Sequence, residues 1–383
     1  MNILFVTHYS DFYGANKSLL ALMVLMQKKH GIRPLVVLPS DGLMCVMLEE
    51  QGIEYMVSPF YWWVNYNHGL LQWALNKRKQ WINWIRAKKF CSQIRSFKVD
   101  LVYSNSVCVN FGFLIARCLD LPHIWQFRES LTSFSLSFSL SSSLSRRVFA
   151  SKVNKRFVLI SDFMMSFYKP YLPYERMICV YNGVDLPVGI ARSEKNKIHN
   201  RLQVACVGLI SDQKNQMELL RAQSILHKRG VDIETWFAGY SDGSDYRVSM
   251  EEYSKANGLV GLAHFVGHSD QVFDILQTMN LGVVTARDEA FGRVTIEYML
   301  MKMPVIGSRS GATPELIKEG ITGELYELGD EAALADLIEN YVRNPELLVS
   351  QGEAAAFDVA ERFSAESNAE KIYELIVDAI SSK

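Results

Sequence analysis

The chain is short of cysteine pairs, of long apolar runs and of net charge, and each shortage closes off a class of protein. Its six cysteines (Cys45, Cys91, Cys108, Cys118, Cys179, Cys206) include no C-x-x-C pair, a spacing that argues against a zinc site and a disulfide framework. Most sit in apolar runs such as Val204-Ala205-Cys206-Val207 and read as small buried hydrophobes of a reducing compartment. No uninterrupted run of about 18 apolar residues occurs, so no transmembrane helix is expected. Ile3-Leu4-Phe5-Val6 is too short, and lacks the charged lead, for a signal peptide. A cytoplasmic protein is therefore expected. After the first candidate strand stands Tyr9-Ser10-Asp11-Phe12-Tyr13-Gly14-Ala15-Asn16 rather than G-x-G-x-x-G, which removes the main support for a dinucleotide-binding dehydrogenase. A P-loop G-x-x-x-x-G-K-[ST] is missing too, and no internal repeat of 20–50 residues is found.

What is present is the composition of an ordinary globular protein, 49% hydrophobic and 21% charged. At 383 residues the chain is too long for one comfortable core, and two domains are expected. The net charge of −1 conceals an asymmetry. Residues 1–187 carry 21 Lys and Arg against 11 Asp and Glu, while 188–383 carry 19 against 30. A basic half of +10 joined to an acidic half of −11 points to an anionic partner for the first half. RNA-binding and helix-turn-helix patterns are missing, so nucleic acid is a poor choice for that partner.

Short β-rich runs alternate with longer helical patterns, which implies βαβ units and parallel sheets. Strands are expected at 2–8, 33–40, 54–60, 100–106, 123–129, 157–161 and 177–182, with helices at 16–29, 43–51, 70–97, 107–119 and 163–171. Several of these strands are apolar without alternation, as parallel strands buried on both faces should be. A polar tract at 192–200 has no periodicity and reads as a linker. Six more strands follow, at 202–210, 234–239, 263–267, 281–286, 304–308 and 323–328, separated by helices at 214–229, 246–256, 271–278, 293–302, 314–319 and 331–343. The fold class is α/β, with two Rossmann-like doubly wound domains facing across a cleft, 1–187 and 188–363. The last segment, 364–380, has Ile372, Leu375, Ile376 and Ala379 at helical spacing, and 364–383 is expected to pack back on the first domain.

The most informative stretch is Glu289-Ala290-Phe291-Gly292-Arg293-Val294-Thr295-Ile296-Glu297, between two expected strands. Gly292 falls at a helix start, where backbone N–H groups and the helix dipole suit a diphosphate. Only a small residue lets phosphate oxygens approach so closely. Glu289 precedes the helix and Glu297 lies about one and a half turns inside it. One carboxylate can reach the sugar end of a nucleotide sugar and the other the ribose, each accepting hydroxyl hydrogen bonds.

Here the sequence resembles the retaining GT-B glycosyltransferases of family four. The E-x7-E block is followed by Pro304-Val305-Ile306-Gly307 and Ser310-Gly311-Ala312-Thr313-Pro314-Glu315-Leu316-Ile317. Asn182-Gly183-Val184-Asp185, Val207-Gly208 with Lys214, Phe237-Ala238-Gly239 and Phe265-Val266-Gly267 occur in that family's order. The likeness covers nearly the whole chain and is densest over 177–345. It implies a retaining, metal-independent hexosyltransferase that takes a UDP- or GDP-linked sugar as substrate and needs no cofactor. Glu289 would orient the donor sugar and Glu297 would bind the ribose. Phe291, Gly292, Arg293 and Val294 would line the diphosphate, Lys214 would neutralise the leaving phosphate beside Gly208, and His268 would lie near the base. Gly14 would belong to a glycine loop near donor phosphate and acceptor, with Asn16 capping its helix. Departing from the family, Leu209 stands where Arg is usual, so Lys214 and Arg293 would share the leaving-group charge. Gln126 stands where a titratable His is usual. Asn16, Gln126, Arg128 and Glu129 would contact the acceptor, Gln126 by hydrogen-bonding a hydroxyl without titrating, while His123 reads as structural.

The partners implied are a nucleotide sugar and a glycan or lipid-linked acceptor in surface polysaccharide synthesis. Trp62, Trp63, Trp73, Trp81 and Trp84 interleave with Lys77, Arg78, Lys79, Arg86, Lys88 and Lys89, the make-up of an interfacial segment. The alternative is that Trp81, Trp84 and Ile85 pack on the sheet. A second candidate membrane segment is 131–147. Peripheral contact with an anionic inner membrane face is the resulting expectation. Nucleotide-sugar epimerisation and an inactive nucleotide-sugar-binding scaffold are the alternative functions.

Overall fold

The computed structural model describes residues 1–65, 70–131, 137–138, 142–186, 201–241, 243, 245–267 and 272–382. The expected linker at 192–200 and His268 lie outside these residues.

The chain divides into two units, Met1–Gly183 with Ala365–Lys383, and Val184–Ser364. The change that the sequence places at 187/188 falls at 183/184. The first unit carries the seven expected strands: β1 (Asn2–Val6), β2 (Arg33–Leu38), β3 (Glu54–Val57), β4 (Leu101–Ser104), β5 (His123–Phe127), β6 (Asn154–Leu159) and β7 (Met177–Cys179). They form one sheet in the order β3-β2-β1-β4-β5-β6-β7, every pairing parallel. Ile3, Leu4, Phe5 and Val6 are wholly buried, because helices cover both faces and each side chain of β1 meets an apolar layer. Val64–Asn65 and Ser137–Phe138 add a short antiparallel pair.

The second unit holds β8 (Gln203–Val207), β9 (Glu234–Ala238), β10 (Ala263–Gly267), β11 (Leu281–Val284), β12 (Val305–Ser308) and β13 (Gly323–Tyr326). Its sheet runs β10-β9-β8-β11-β12-β13, again all parallel. Both sheets thus reverse their strand order beside their first strand, between β1 and β4 and between β8 and β11. Such switch points open a crevice at the carboxyl ends of the strands, where open α/β sheets bind ligands.

The helix Ala365–Ser381 belongs to the first unit. Ile372, Ile376 and Ala379 join a core with Leu19, Met23 and Met26 of the helix Gly14–His30. His30 stacks on Tyr373 at 3.6 Å, and Lys29 pairs with Glu366. In the second unit the helix Glu346–Arg362 was not expected from the sequence. It meets its neighbours through small residues: a Cβ on Gly352 would stand 2.2 Å from the Lys302 carbonyl oxygen. Its inward face includes Ala355, Ala356 and Val359, so it lacks the large apolar stripe that announces a helix.

Two helix starts also differ from expectation. The first helix begins at Gly14 with Tyr13 as N-cap and no side-chain cap, so Asn16 lies within it. The helix expected from 107 begins at Phe111, because the Val107 N–H donates to Glu129 Oε2 at 3.3 Å and Cys108 N–H to Ser106 Oγ at 3.0 Å.

His123 is structural, as read. It is fully buried, with Nε2 2.8 Å from Ser104 Oγ and Nδ1 2.7 Å from Asn154 Oδ1. Burial lowers its pKa to about 4 from about 6.5, so between those values the unfolded chain binds the extra proton. Stability should therefore fall as pH drops from 6.5 to 4, by roughly 3 kcal/mol from this residue. In thermal melts across that range, His123→Gln should flatten the acid-side loss; an unchanged slope would contradict the assignment.

Candidate active site

At the switch point of the second sheet, the loops leaving β8 and β11 are sewn together. Arg287 N–H donates to the Gln213 carbonyl at 2.9 Å, and Gln213 Nε2 returns a bond to the Arg287 carbonyl at 2.7 Å. Thr285 Oγ1 donates to the Lys214 carbonyl at 2.8 Å, and Arg287 Nη2 reaches Asn215 Oδ1 at 3.2 Å. Asn215 in turn donates to the buried Glu218 carboxylate, which also accepts the Gly329 N–H at 2.6 Å. This lattice brings the Lys214 ammonium onto the Glu289 carboxylate in a hydrogen-bonded ion pair. Lys214, Glu289 and Val294 line one small pocket with Val207 and Thr285.

A third loop fixes Glu289 from β12. The Glu289 carbonyl accepts Ala312 N–H at 2.7 Å, and Asp288 N–H donates to Ser310 Oγ at 2.9 Å. Gly311, at φ +58°, lies so close that a Cβ would stand 2.3 Å from the Glu289 nitrogen. The sequence shows this motif without showing its purpose, which is to hold the Glu289 backbone.

Gly292 is the N-cap of the helix Arg293–Leu300, with φ +88°. A Cβ there would stand 3.3 Å from Glu289 Cγ and 3.2 Å from Thr295 Oγ1, so both the backbone conformation and the crowding favour glycine. The positive end of the helix dipole thus lies beside Glu289 and Lys214. Arg293 Nε donates to Glu297 Oε1 at 2.8 Å, one turn on. Glu289 and Glu297 therefore sit against different cations. Phe291 is buried against Phe363 at 6.0 Å and anchors the loop rather than exposing its ring. Gly208 follows β8 at φ +150°, with a Cβ there about 4.0 Å from the Lys214 side chain. Tyr298, unforeseen, lies beneath Gly282 and accepts the Val207 N–H at 2.7 Å.

In the first unit, Gln126, Arg128, Glu129 and Asn16 all turn inward. Arg128 donates Nε to Asn105 Oδ1 at 2.7 Å, Nη1 to Asn182 Oδ1 at 2.6 Å and Nη2 to Gln126 Oε1 at 2.8 Å. Gln126 also accepts Tyr103 Oη at 2.8 Å; it orients the guanidinium. Asn16 is fully buried, accepting from Thr7 Oγ1 at 2.5 Å and donating to the carbonyls of Tyr9 and Asp11. Its amide staples the turn after β1, and it is not a cap. Gly14 is the first residue of that helix. Glu129 accepts Ser106 Oγ at 3.0 Å and lies 3.5 Å from His8 Nε2. His8 sits just beyond β1 at the carboxyl end of the sheet, a position that could have marked it out.

Residues 190–357 match the family of glycosyl transferases group 1. N-acetyl-alpha-D-glucosaminyl L-malate synthase of Bacillus anthracis is 38% identical over 188 residues, 48% of this chain and 46% of that protein. The lipopolysaccharide core biosynthesis mannosyltransferase LpcC of Rhizobium leguminosarum bv. viciae is 30% identical over 211 residues, 50% of this chain and 57% of that one. The chain thus spans about half the length of these curated relatives. Among solved structures, Alr3699/HepE of Anabaena in complex with UDP superposes with a TM-score of 0.80 at 20% identity, covering 99% of this chain and 100% of that one. Over residues 190–357 the chain matches the group 1 glycosyltransferases, and the architecture of its two sheets is that of the GT-B fold.

Proposed function

We propose that the chain is a retaining hexosyltransferase that moves a sugar from a UDP- or GDP-linked donor to a glycan or lipid-linked hydroxyl, in the synthesis of a surface polysaccharide or related glycan. The observation that carries this reading is Lys214 paired with Glu289 beside the glycine-capped start of Arg293–Leu300. Breaking the bond from sugar C1 to the diphosphate builds oxocarbenium-like charge on the sugar and negative charge on the departing phosphate. In this reading Lys214 and the helix start meet the phosphate charge without a metal, as preorganised charges and dipoles do best. Glu289, relieved of part of its pairing to Lys214, would hold sugar hydroxyls, and Glu297 with Arg293 would hold the ribose side. HepE has been solved in complex with UDP-glucose, which supports this donor class.

The second half of the proposal concerns the first unit. In the helix Leu70–Gln93 the buried stripe is Asn76, Asn83, Ala87, Phe90 and Cys91, so Trp81, Trp84 and Ile85 do not pack on the sheet. Trp81 is 61% exposed, and Leu75, Trp84 and Ile85 are exposed with it, beside exposed Lys77, Arg78, Lys88 and Lys89. Lys88 Nζ lies 3.6 Å from the Trp84 ring centroid. Tryptophan among cations at helical spacing suits an anionic lipid surface, and peripheral docking beside a lipid-linked acceptor is the corresponding function. The Trp73 side chain lies outside what is described, as do residues 132–136 and 139–141 of the second candidate, 131–147. From that stretch the helix Ser142–Phe149 is seen, with Phe149 buried. Among the described residues, no helix is long and apolar enough to cross a membrane.

Three outcomes test these readings. Glu289→Ala should lower nucleotide release from UDP- and GDP-sugars by on the order of 100-fold while leaving UDP affinity within about threefold, whereas Glu297→Ala should weaken UDP binding about tenfold; equal affinities in both variants and the parent would contradict the assignment. Gly311→Ala should mimic Glu289→Ala in turnover, since a methyl there meets the Glu289 backbone; retained turnover would show that the buttress is dispensable. Trp81→Ala/Trp84→Ala/Lys88→Ala should abolish flotation with vesicles containing phosphatidylglycerol at low salt, and a parent chain that does not float would end the docking idea.

A further inference from the structure

In the first unit, two cysteines on neighbouring helices meet side by side. Cys91 stands in the last turn of the helix Leu70–Gln93, and Cys118 in the last turn of the helix Phe111–Leu119. The two helices pack directly on each other, and Phe90, Cys91 and Ile94 share one apolar core with Phe111, Ile115 and Ala116. The Cys91 thiol is aimed at the end of the second helix, its Sγ lying 4.0 Å from the Ile115 carbonyl oxygen. That carbonyl faces along the helix toward the turn that holds Cys118, three residues on. There the two thiols are joined by a sulfur hydrogen bond. Packed helix axes run about 8–10 Å apart, which leaves facing Cα atoms at the separation that a disulfide spans.

The pair is asymmetric in access. Cys91 is 3% exposed, whereas Cys118 lies open on the surface. Burial first, and the hydrogen bond with Cys118 second, push the Cys91 thiol up to about 12, so Cys91 keeps its proton and directs it at its neighbour. Cys108 and Cys206 are buried too, but the groups that act on them are Glu129 and Ser106 in one case and Thr285 and Lys214 in the other. A buried thiol among apolar neighbours is an ordinary core residue. A buried thiol bonded to an exposed one is a resolving group beside a sulfur that reagents can reach.

We propose that Cys91 and Cys118 form a reversible redox-modification site, at which a hydroperoxide converts the pair to an intramolecular disulfide that fastens the two helix ends together. The exposed Cys118 sulfur, as thiolate, attacks the peroxide. The O–O bond breaks, Cys118 becomes a sulfenic acid, and the other oxygen takes up a proton and leaves as water. The Cys91 sulfur then bonds to the Cys118 sulfur as the S–O bond breaks, and the Cys91 proton departs with that hydroxyl as water. Two thiols and one hydrogen peroxide thus give one disulfide and two waters, with two electrons passing from sulfur to peroxide. A dithiol reverses the change. The bond would tie the end of the helix that carries exposed Trp81 and Trp84 to a helix seated tightly on the sheet, where a Cβ on Gly112 would stand 2.1 Å from Ser104 Oγ. Both cysteines lie in terminal turns, which adjust most easily to such a closure.

The test uses the full chain, first reduced and then treated with hydrogen peroxide. Intact mass should fall by about two hydrogens, peptide mapping should join Cys91 to Cys118, and a dithiol should restore the starting mass. Amide exchange in the last turn of Leu70–Gln93 should slow by about tenfold on oxidation. Cys118→Ser, a surface change, should abolish the linkage. Cys91→Ser should stop at the Cys118 sulfenic acid, which dimedone captures. Alkylating Cys118 in the folded parent with iodoacetamide should give the same block without any substitution. A parent that keeps both residues as thiols under peroxide, or whose oxidised sulfurs join other cysteines or other copies of the chain, would overturn the proposal. So would an oxidised pair that leaves amide exchange unchanged, since the bond would then fasten nothing.

Discussion

The second unit depends on one constraint, that the loop after β8 and the loop after β11 cannot move independently. Two reciprocal bonds between Gln213 and Arg287, one backbone to backbone and one from the Gln213 side-chain amide, and Thr285 bound to the Lys214 carbonyl, make them one body. A third loop, from β12, closes on it through Ala312 and Gly311. Without that stitching, a lysine and a glutamate 75 residues apart would face each other only at the entropic cost of ordering two long side chains, which erodes most exposed ion pairs. With it, their backbones are preplaced at a helix start. In the proposed transfer, positioning of this kind is what a substitution at a sugar carbon needs.

The first unit applies the same topology to a different end. Its switch point gathers Asn105, Gln126, Arg128, Glu129, Asn182 and His8 into a buried, mutually bonded set. Buried polar groups are tolerable when each finds a partner, and Arg128 meets that condition with three amide oxygens. Its helix Leu70–Gln93, by contrast, turns polar Asn76 and Asn83 inward and tryptophans outward. Asn83 repays its burial by bonding both the N–H and the carbonyl of Tyr61, each at 2.8 Å.

Much of this was legible in the residues. Parallel strands buried on both faces announce themselves as unbroken apolar runs, and all thirteen expected strands exist. The E-x7-E block with its glycine marked the helix start at Arg293. What escaped had physical reasons. The helix Glu346–Arg362 packs by glycine and alanine at close range, which leaves little hydrophobic signal. Asn16 looked like a cap because Asn favours caps, but its amide is committed to the turn before it. The outward face of Trp81 could not be told from an inward one, since Asn83 and Ala87 gave no hint that they were the buried stripe. The pairing of Arg293 with Glu297 follows from i,i+4 geometry on a helix and was there to be read.

A crystal structure of the chain with UDP tests the central claim most directly. The account predicts the β-phosphate against the backbone of Gly292 and Arg293, with Lys214 Nζ turned from Glu289 toward a phosphate oxygen. A diphosphate bound away from the start of the helix Arg293–Leu300, or a Lys214–Glu289 pair left untouched beside it, would contradict the account.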